Sequence, residues 1–242
     1  MKMAKQNITL NVQLGPYAMG RLRCITNLVP STSSPAYALD VGCGAEVWNV
    51  EMAEIIRNKG YTYVGLDVSK SILLRAKKSI KHSKHRGDTY LLGNACDLPC
   101  RGCFELVIAL EIIEHLDNPK RLLTQIDKIM LEGSYLIIST PNKLSLEGVK
   151  GKTLELFSGK GWNAWGGGEH KHVFSSFEFL SLVNKYFSII KVCGYHFLPA
   201  TQFMFAEKTN SILKTSVNPF NKLGFQTIVL LKKAGRNKDI DI

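Results

Sequence analysis

The chain has no run of about 18 apolar residues, so no segment reads as a membrane-spanning helix. Its opening, MKMAKQNITLNVQ, has no apolar block of the kind a secretory signal needs. Cysteine is too sparse for a disulfide scaffold, with 6 in 242 residues, and a reducing, cytoplasmic setting is expected. Cys96, Cys100 and Cys103 lack the fourth ligand that would make them a structural zinc site. Low hydrophobicity combined with high charge, the mark of disorder, is also absent, at 45% apolar and 21% charged residues. Acid is missing from one stretch: Lys70, Arg75, Lys77, Lys78, Lys81, Lys84 and Arg86 occur without an Asp or Glu among them. That run, in a chain of net charge +11, suits a solvated helix face. It would also attract nucleic acid, anionic lipid or a phosphorylated substrate, so charge alone assigns no partner.

What is present is alternation. The length suits one domain with a small elaboration. Residues 1–35 read as a leader or cap with some helical pattern, closed by the loop Ser31–Pro35. From residue 36 onward, short apolar strands alternate with helices. Strands are expected over Ala36–Val41, Tyr61–Leu66, Thr89–Leu92, Glu105–Leu110, Tyr135–Thr140, Ile189–Cys193 and Gln226–Lys232. Helices are expected over Val47–Lys59, Ser69–Lys84, Pro119–Leu131 and Ser175–Phe187, with Asn118-Pro119 as a cap and first-turn pair. The stretch 142–172 breaks this rhythm and reads as an insertion. Such a pattern implies an α/β domain with a mostly parallel sheet covered on both faces. Ligands of such sheets lie at the carboxyl ends of the strands.

Three segments fall at such ends. In Leu39-Asp40-Val41-Gly42-Cys43-Gly44-Ala45-Glu46 a strand runs into two glycines and then a helix, which lets the backbone approach a ligand closely. The dinucleotide fingerprint wants a third glycine where this chain has Glu46 and Val47, and an anionic Glu46 would repel a pyrophosphate. A nicotinamide or flavin is therefore disfavoured. Asp67 ends the second strand, where a carboxylate can accept from ribose hydroxyls or cap the next helix. In Gly93-Asn94-Ala95-Cys96-Asp97, Asn94 or Asp97 could accept from an adenine amino group, or the segment is a plain polar loop.

Taken together, LDVGCG, VGLDVS, GNACDLP, FELVIALEIIEHLDNP and GSYLIISTPN resemble the class I S-adenosylmethionine-dependent methyltransferases, in family order and spacing. The resemblance spans about Tyr37 to Asn142 and more loosely reaches Lys232. It implies a Rossmann-like, doubly wound sheet of seven strands, parallel except for the last, and S-adenosylmethionine as cofactor. It places Asp40, Gly42, Cys43 and Gly44 at the methionine moiety, Asp67 and Val68 at the ribose, Asn94 and Ala95 at the adenine, and Leu110 on the same wall. The chain departs from the family pattern at Glu46, usually glycine, and at Asn94, usually an acid.

The reacting end is expected at Leu110-Glu111-Ile112-Ile113-Glu114-His115-Leu116. If this segment turns helically, Glu111, Glu114 and His115 share a face, where Glu111 and His115 could serve acid–base chemistry. Alternatively Glu114 and His115 brace the helix that begins at Pro119. Within 142–172, Trp162, Trp165 and the Gly166–Gly168 run suggest a substrate lid or a pinned surface loop. The expected function is O-methylation of a small molecule or glycan. No metal is assigned on that reading. Small-RNA 2′-O-methyltransferases share the E-x-x-E-H segment and a later histidine, so a metal-assisted RNA enzyme is one alternative. It would use Glu111, Glu114, His115 and His170 or His172, with the basic helix 70–86 guiding the RNA. A non-catalytic cofactor- or RNA-binding domain is the other.

Overall fold

The structure, a computed structural model, describes residues 16–44, 47–80, 88–98, 101–146, 148–150, 153, 157, 170–195 and 224–234. The helices are α1 (Pro16–Leu28), α2 (Val47–Asn58), α3 (Lys70–Ile80), α4 (Pro119–Ile129) and α5 (Ser176–Val183). The strands are β1 (Ala36–Val41), β2 (Tyr61–Asp67), β3 (Thr89–Leu92), β4 (Phe104–Leu110), β5 (Met130–Pro141), β6 (Ser188–Tyr195) and β7 (Gln226–Lys232). They form a single seven-stranded sheet in the order β3-β2-β1-β4-β5-β7-β6. The strands β1 to β5 pair in parallel, and β7 runs antiparallel between β5 and β6. The expected Rossmann-like sheet with an antiparallel last strand is therefore present.

Strand alternation divides the core between the two faces of the sheet. Leu106 and Ile108 of β4 pack with Ile25 and Leu28 of α1 and with Ala53 and Ile56 of α2. Val107 and Ala109 face the other way, onto Leu122 and Ile126 of α4 and Phe179 and Val183 of α5. The sequence expectation of a leader thus falls on a helix, α1, whose apolar face belongs to the core. Capping behaves as the sequence suggests: Asn118 accepts from Arg121 N–H, with Pro119 in the first turn, and Ser175 and Glu178 form a reciprocal capping box.

Two boundaries differ from expectation. The helix α4 stops at Ile129 and β5 begins at once, because Gly102 N–H and Cys103 N–H take the carbonyls of Lys128 and Ile129. The helix α5 stops at Val183, whose carbonyl accepts from both Tyr186 and Phe187. A third difference concerns cysteine. Cys24 of α1 and Cys193 of β6 are joined as a disulfide across 6.5 Å between Cα atoms, where the sequence suggested only reduced thiols. Their separation of 169 residues left no local spacing to read. Among the described residues, no helix is long and apolar enough to cross a membrane.

Candidate active site

The carboxyl ends of β1 and β2 carry a loop tied down by both backbone and side-chain hydrogen bonds. Gly42 N–H and Cys43 N–H both donate to Leu66 C=O, at 2.7 and 3.0 Å, so the loop folds across the end of β2. Gly42 (φ 70°) and Gly44 (φ 66°) occupy the left-handed region that makes this turn possible. Asp67 secures the arrangement: Oδ2 accepts from Gly44 N–H at 3.2 Å and Oδ1 from Ser69 N–H at 2.9 Å. Beneath the loop, Asp40 is buried and accepts from Tyr63 Oη at 2.8 Å. Burial raises the Asp40 carboxyl to about 7, with the Tyr63 hydrogen bond opposing. Burial, with Asp40 beside it, also pushes the Cys43 thiol upward, which disfavours the thiolate. After β3, Asn94 Oδ1 accepts from Cys96 N–H at 2.8 Å, and Arg121 of α4 grips Cys96 C=O at 2.8 Å.

At the end of β4 the backbone is strained. Glu111 has φ 54°, a left-handed conformation that side chains with a Cβ seldom adopt. It therefore does not share a helical face with Glu114 and His115, and only Ile113–His115 forms a short 3₁₀ turn. That corrects the single-face expectation. The turned Glu111 is held by Ser139 of β5, which donates to Oε1 at 2.6 Å, and by Gln226 of β7, which donates to Oε2. Burial raises its carboxyl, opposed by the charge of Arg21 from α1 and by these two donors.

Glu114 is 1% exposed. Its Oε2 lies 3.4 Å from Thr140 Oγ1, and its Oε1 has no hydrogen-bond partner among the described residues. Burial and the nearby Glu111 carboxylate hold it well above the usual carboxylate range. The carbonyl of Glu114 accepts from Lys171 N–H at 2.9 Å and His172 N–H at 3.0 Å. This anchor sets the His170 ring 4.6 Å from that of His115, centroid to centroid. His172 turns outward, stacked on Phe174 and 3.4 Å from Asp117 C=O. The expected brace to the Pro119 helix is not what Glu114 does, since its contacts run to Thr140 and to residues 171–172.

A family model described as a methyltransferase domain matches residues 17–186 of this chain. The chain belongs to that family. Its relatives include a mitochondrial ubiquinone biosynthesis O-methyltransferase of Dictyostelium discoideum, 31% identical over 118 residues, covering 45% of this chain and 36% of that protein. The curated relatives it matches are spanned over about a third to a half of their length, from 32% to 51% in the first three. A Thermotoga maritima S-adenosylmethionine-dependent methyltransferase, described as a possible histamine N-methyltransferase, has the same fold, with TM-score 0.64 at 20% identity over 90% of this chain and 89% of that one. The Bradyrhizobium japonicum N-methyltransferase NodS, in complex with S-adenosylhomocysteine, superposes with TM-score 0.62 at 11% identity over 92% and 90% of the two chains.

S-adenosylmethionine is the methyl donor of this class of methyltransferase domain, and the residues present fit it. A Cβ added at Gly44 would meet nothing within 4 Å, so the loop is open on its outer side. Val68, 74% exposed next to Asp67, offers apolar surface at the same edge. Asp67 and Asn94 each retain unused lone pairs on the oxygens that hold the loops. Ala95 is buried behind Asn94, and Leu110 ends β4 beside the strained turn. Glu46 lies outside the described residues, as do residues 161–169 of the expected lid and residues 81–87 of the basic run.

Sequence reasoning missed Arg21, Ser139 and Gln226. For Gln226 a signal existed, since a polar residue heads the apolar run TIVLL. Arg21 had none, because nothing local ties an α1 side chain to the end of β4.

Proposed function

We propose that this methyltransferase domain transfers the methyl group of S-adenosylmethionine to a hydroxyl oxygen of a small molecule. The observation that carries the reading is the adjacency of two edges: the open glycine loop over β1 and β2, and the polar cluster at the end of β4. When bound, the donor would supply a methyl carbon activated by a sulfonium. On this reading Asp40 and residues 42–44 hold the methionine end, Asp67 and Val68 the ribose, and Asn94 and Ala95 the adenine, with Leu110 between donor and acceptor. The chain's task is then to hold donor and acceptor in line and exclude competing geometries. An alcohol is a poor nucleophile near neutral pH, so the protein must also lower the cost of removing its proton. His115 and Glu111 are the residues assigned to that work. The O-methyltransferase names of the curated relatives support oxygen over nitrogen as the acceptor atom. The test is a screen of hydroxyl- and amine-bearing small molecules with methyl-labelled S-adenosylmethionine, preceded by calorimetry with the donor alone. Donor binding with label transferred to a hydroxyl is the expected result. Transfer to amines alone would overturn the acceptor, and absence of donor binding would overturn the enzyme.

A further inference from the structure

We infer that the Cys24–Cys193 pair is a thiol–disulfide latch that fixes α1 against the sheet and so governs how Glu111 is held. Cys24 lies on α1 and Cys193 on β6, with 169 residues between them. Both ends of the bridge lead to the same carboxylate. Arg21 precedes Cys24 by three positions, so the two side chains leave α1 on one side, a turn apart. The charge of Arg21 acts on the Glu111 carboxyl. From the other end, β6 pairs with β7, setting Cys193 opposite Ile228 and Tyr195 opposite Gln226. Gln226 in turn donates to Glu111 Oε2. The bridge therefore ties together the helix that brings Arg21 to Glu111 and the strand pair that brings Gln226 there.

The surroundings suit a bond that opens and closes. Cys24 is 3% exposed, whereas Cys193 is only partly buried, so a thiol arriving from solvent meets one sulfur of the pair before the other. The strand β6 is the edge of the sheet, paired only with β7, and its register slips between Ile189 and Lys191. An edge strand can shift without opening the core. Leu22, Ile25 and Leu28 keep α1 packed on the sheet when the bond is absent, so reduction loosens the helix and leaves the chain folded.

The chemistry balances with small-molecule partners. On closing, each thiol gives up one proton and one electron. The acceptor is hydrogen peroxide, reduced to two waters, or a small-molecule disulfide, reduced to two thiols. On opening, a small thiolate attacks Cys193 Sγ, and Cys24 leaves as a thiolate that takes up a proton. A second small thiol then resolves the mixed disulfide and frees Cys193. The latch itself does not depend on the acceptor, while its bearing on methyl transfer rests on the proposed function.

The experiment compares the full chain equilibrated in oxidised glutathione and in millimolar dithiothreitol, both under native conditions. Thiols are acid-quenched and counted by mass after maleimide tagging in denaturant, and hydrogen exchange and melting are measured on each form. Cys24 and Cys193 should be protected from the tag after oxidation and both tagged after reduction. Reduction should speed exchange over Pro16–Leu28 by at least about fivefold and also raise it across residues 110–115, with residues 40–44 unchanged. The melting temperature should fall by about 5–10 °C. Cys193→Ser should match the reduced wild type in both buffers, and Cys24→Ser gives the same test from the buried end. Cysteines tagged as thiols after oxidation would overturn the bond. A bond that resists dithiothreitol in the folded protein would overturn the latch in favour of a permanent brace. Opening without a change across residues 110–115 would overturn the link to Glu111, and a Cys193→Ser protein that still responds to dithiothreitol would place the effect on another thiol. S-adenosylmethionine affinity, measured on both forms, should agree within a few fold. A donor that binds neither form would overturn the proposed function while the exchange result still upholds the latch.

Discussion

On the β1–β2 side of the cleft, polar side chains answer backbone N–H groups, the farthest of them one strand–helix–strand unit away. Asp67 takes the N–H groups of Gly44 and Ser69, 23 and 2 residues away, and Asn94 takes that of Cys96, 2 residues away. On the β4–β5–β7 side the partners are other side chains, with Ser139 and Gln226 reaching Glu111 across 28 and 115 residues, the second from a strand far along the chain. The first side has its loops satisfied and open before anything binds. The second keeps a strained backbone at Glu111 and, on Glu114 and Gln226, buried oxygens without a hydrogen-bond partner among the described residues. Strain and unmet polar groups persist where surrounding packing over-determines them, which is characteristic of reacting sites. On the proposed reading, the β1–β2 side receives the donor on loops already satisfied, and the β4–β5–β7 side, the acceptor side, holds the polarity that the chemistry needs.

The largest expected effect would break this division if it failed. His115→Ala should cut turnover by about 10²–10⁴-fold while donor affinity stays within a few fold. Single-turnover rates and calorimetry on the same preparation check both halves. A parallel loss of donor affinity would mean that the two sides are one unit.

Asp67→Ala tests the opposite side. Losing charge-assisted hydrogen bonds should weaken S-adenosylmethionine by about 1.5–3 kcal/mol. Because Asp67 also holds Gly44 N–H and Ser69 N–H, the melting temperature of the ligand-free protein should fall as well. Unchanged affinity in a folded variant would leave Asp67 as a loop brace and remove the ribose role.

Asp40 sharpens the comparison through pH. Its carboxyl is raised from 3.8 to about 7 in the folded chain, so the folded state binds the extra proton between those values. Stability contributed at Asp40 is therefore present at low pH and lost as pH rises through that window. Asp40→Asn should flatten this fall and stabilise the ligand-free protein near pH 8 by on the order of 2 kcal/mol. Denaturant titrations at pH 5 and pH 8 measure the difference, and an equal slope in both proteins would count against a neutral Asp40.

The smallest effect belongs to a residue on neither side. Ser175→Ala removes one half of the α5 capping box and should cost about 1 kcal/mol of stability. Donor affinity and turnover should be unchanged, as calorimetry and initial rates can establish.

Much of the donor side was legible beforehand because its determinants are local. The strand period, the Gly42–Gly44 turn, the acid closing β2 and the Asn118-Pro119 cap each depend on residues a few positions apart. The sequence by itself therefore determined the alternating α/β plan, the sheet type and where the glycine loop lies. It did not determine the acceptor side. That cluster exists because β7 inserts beside β5, bringing Gln226 to Glu111, and because the Glu114 carbonyl captures residues 171–172 and sets His170 on His115. The turn at Glu111, which takes that residue off a shared helical face with Glu114 and His115, is likewise held by Ser139 and Gln226 across the sheet. Periodicity and capping act along the chain, whereas these contacts act between strands whose neighbours only the tertiary fold selects.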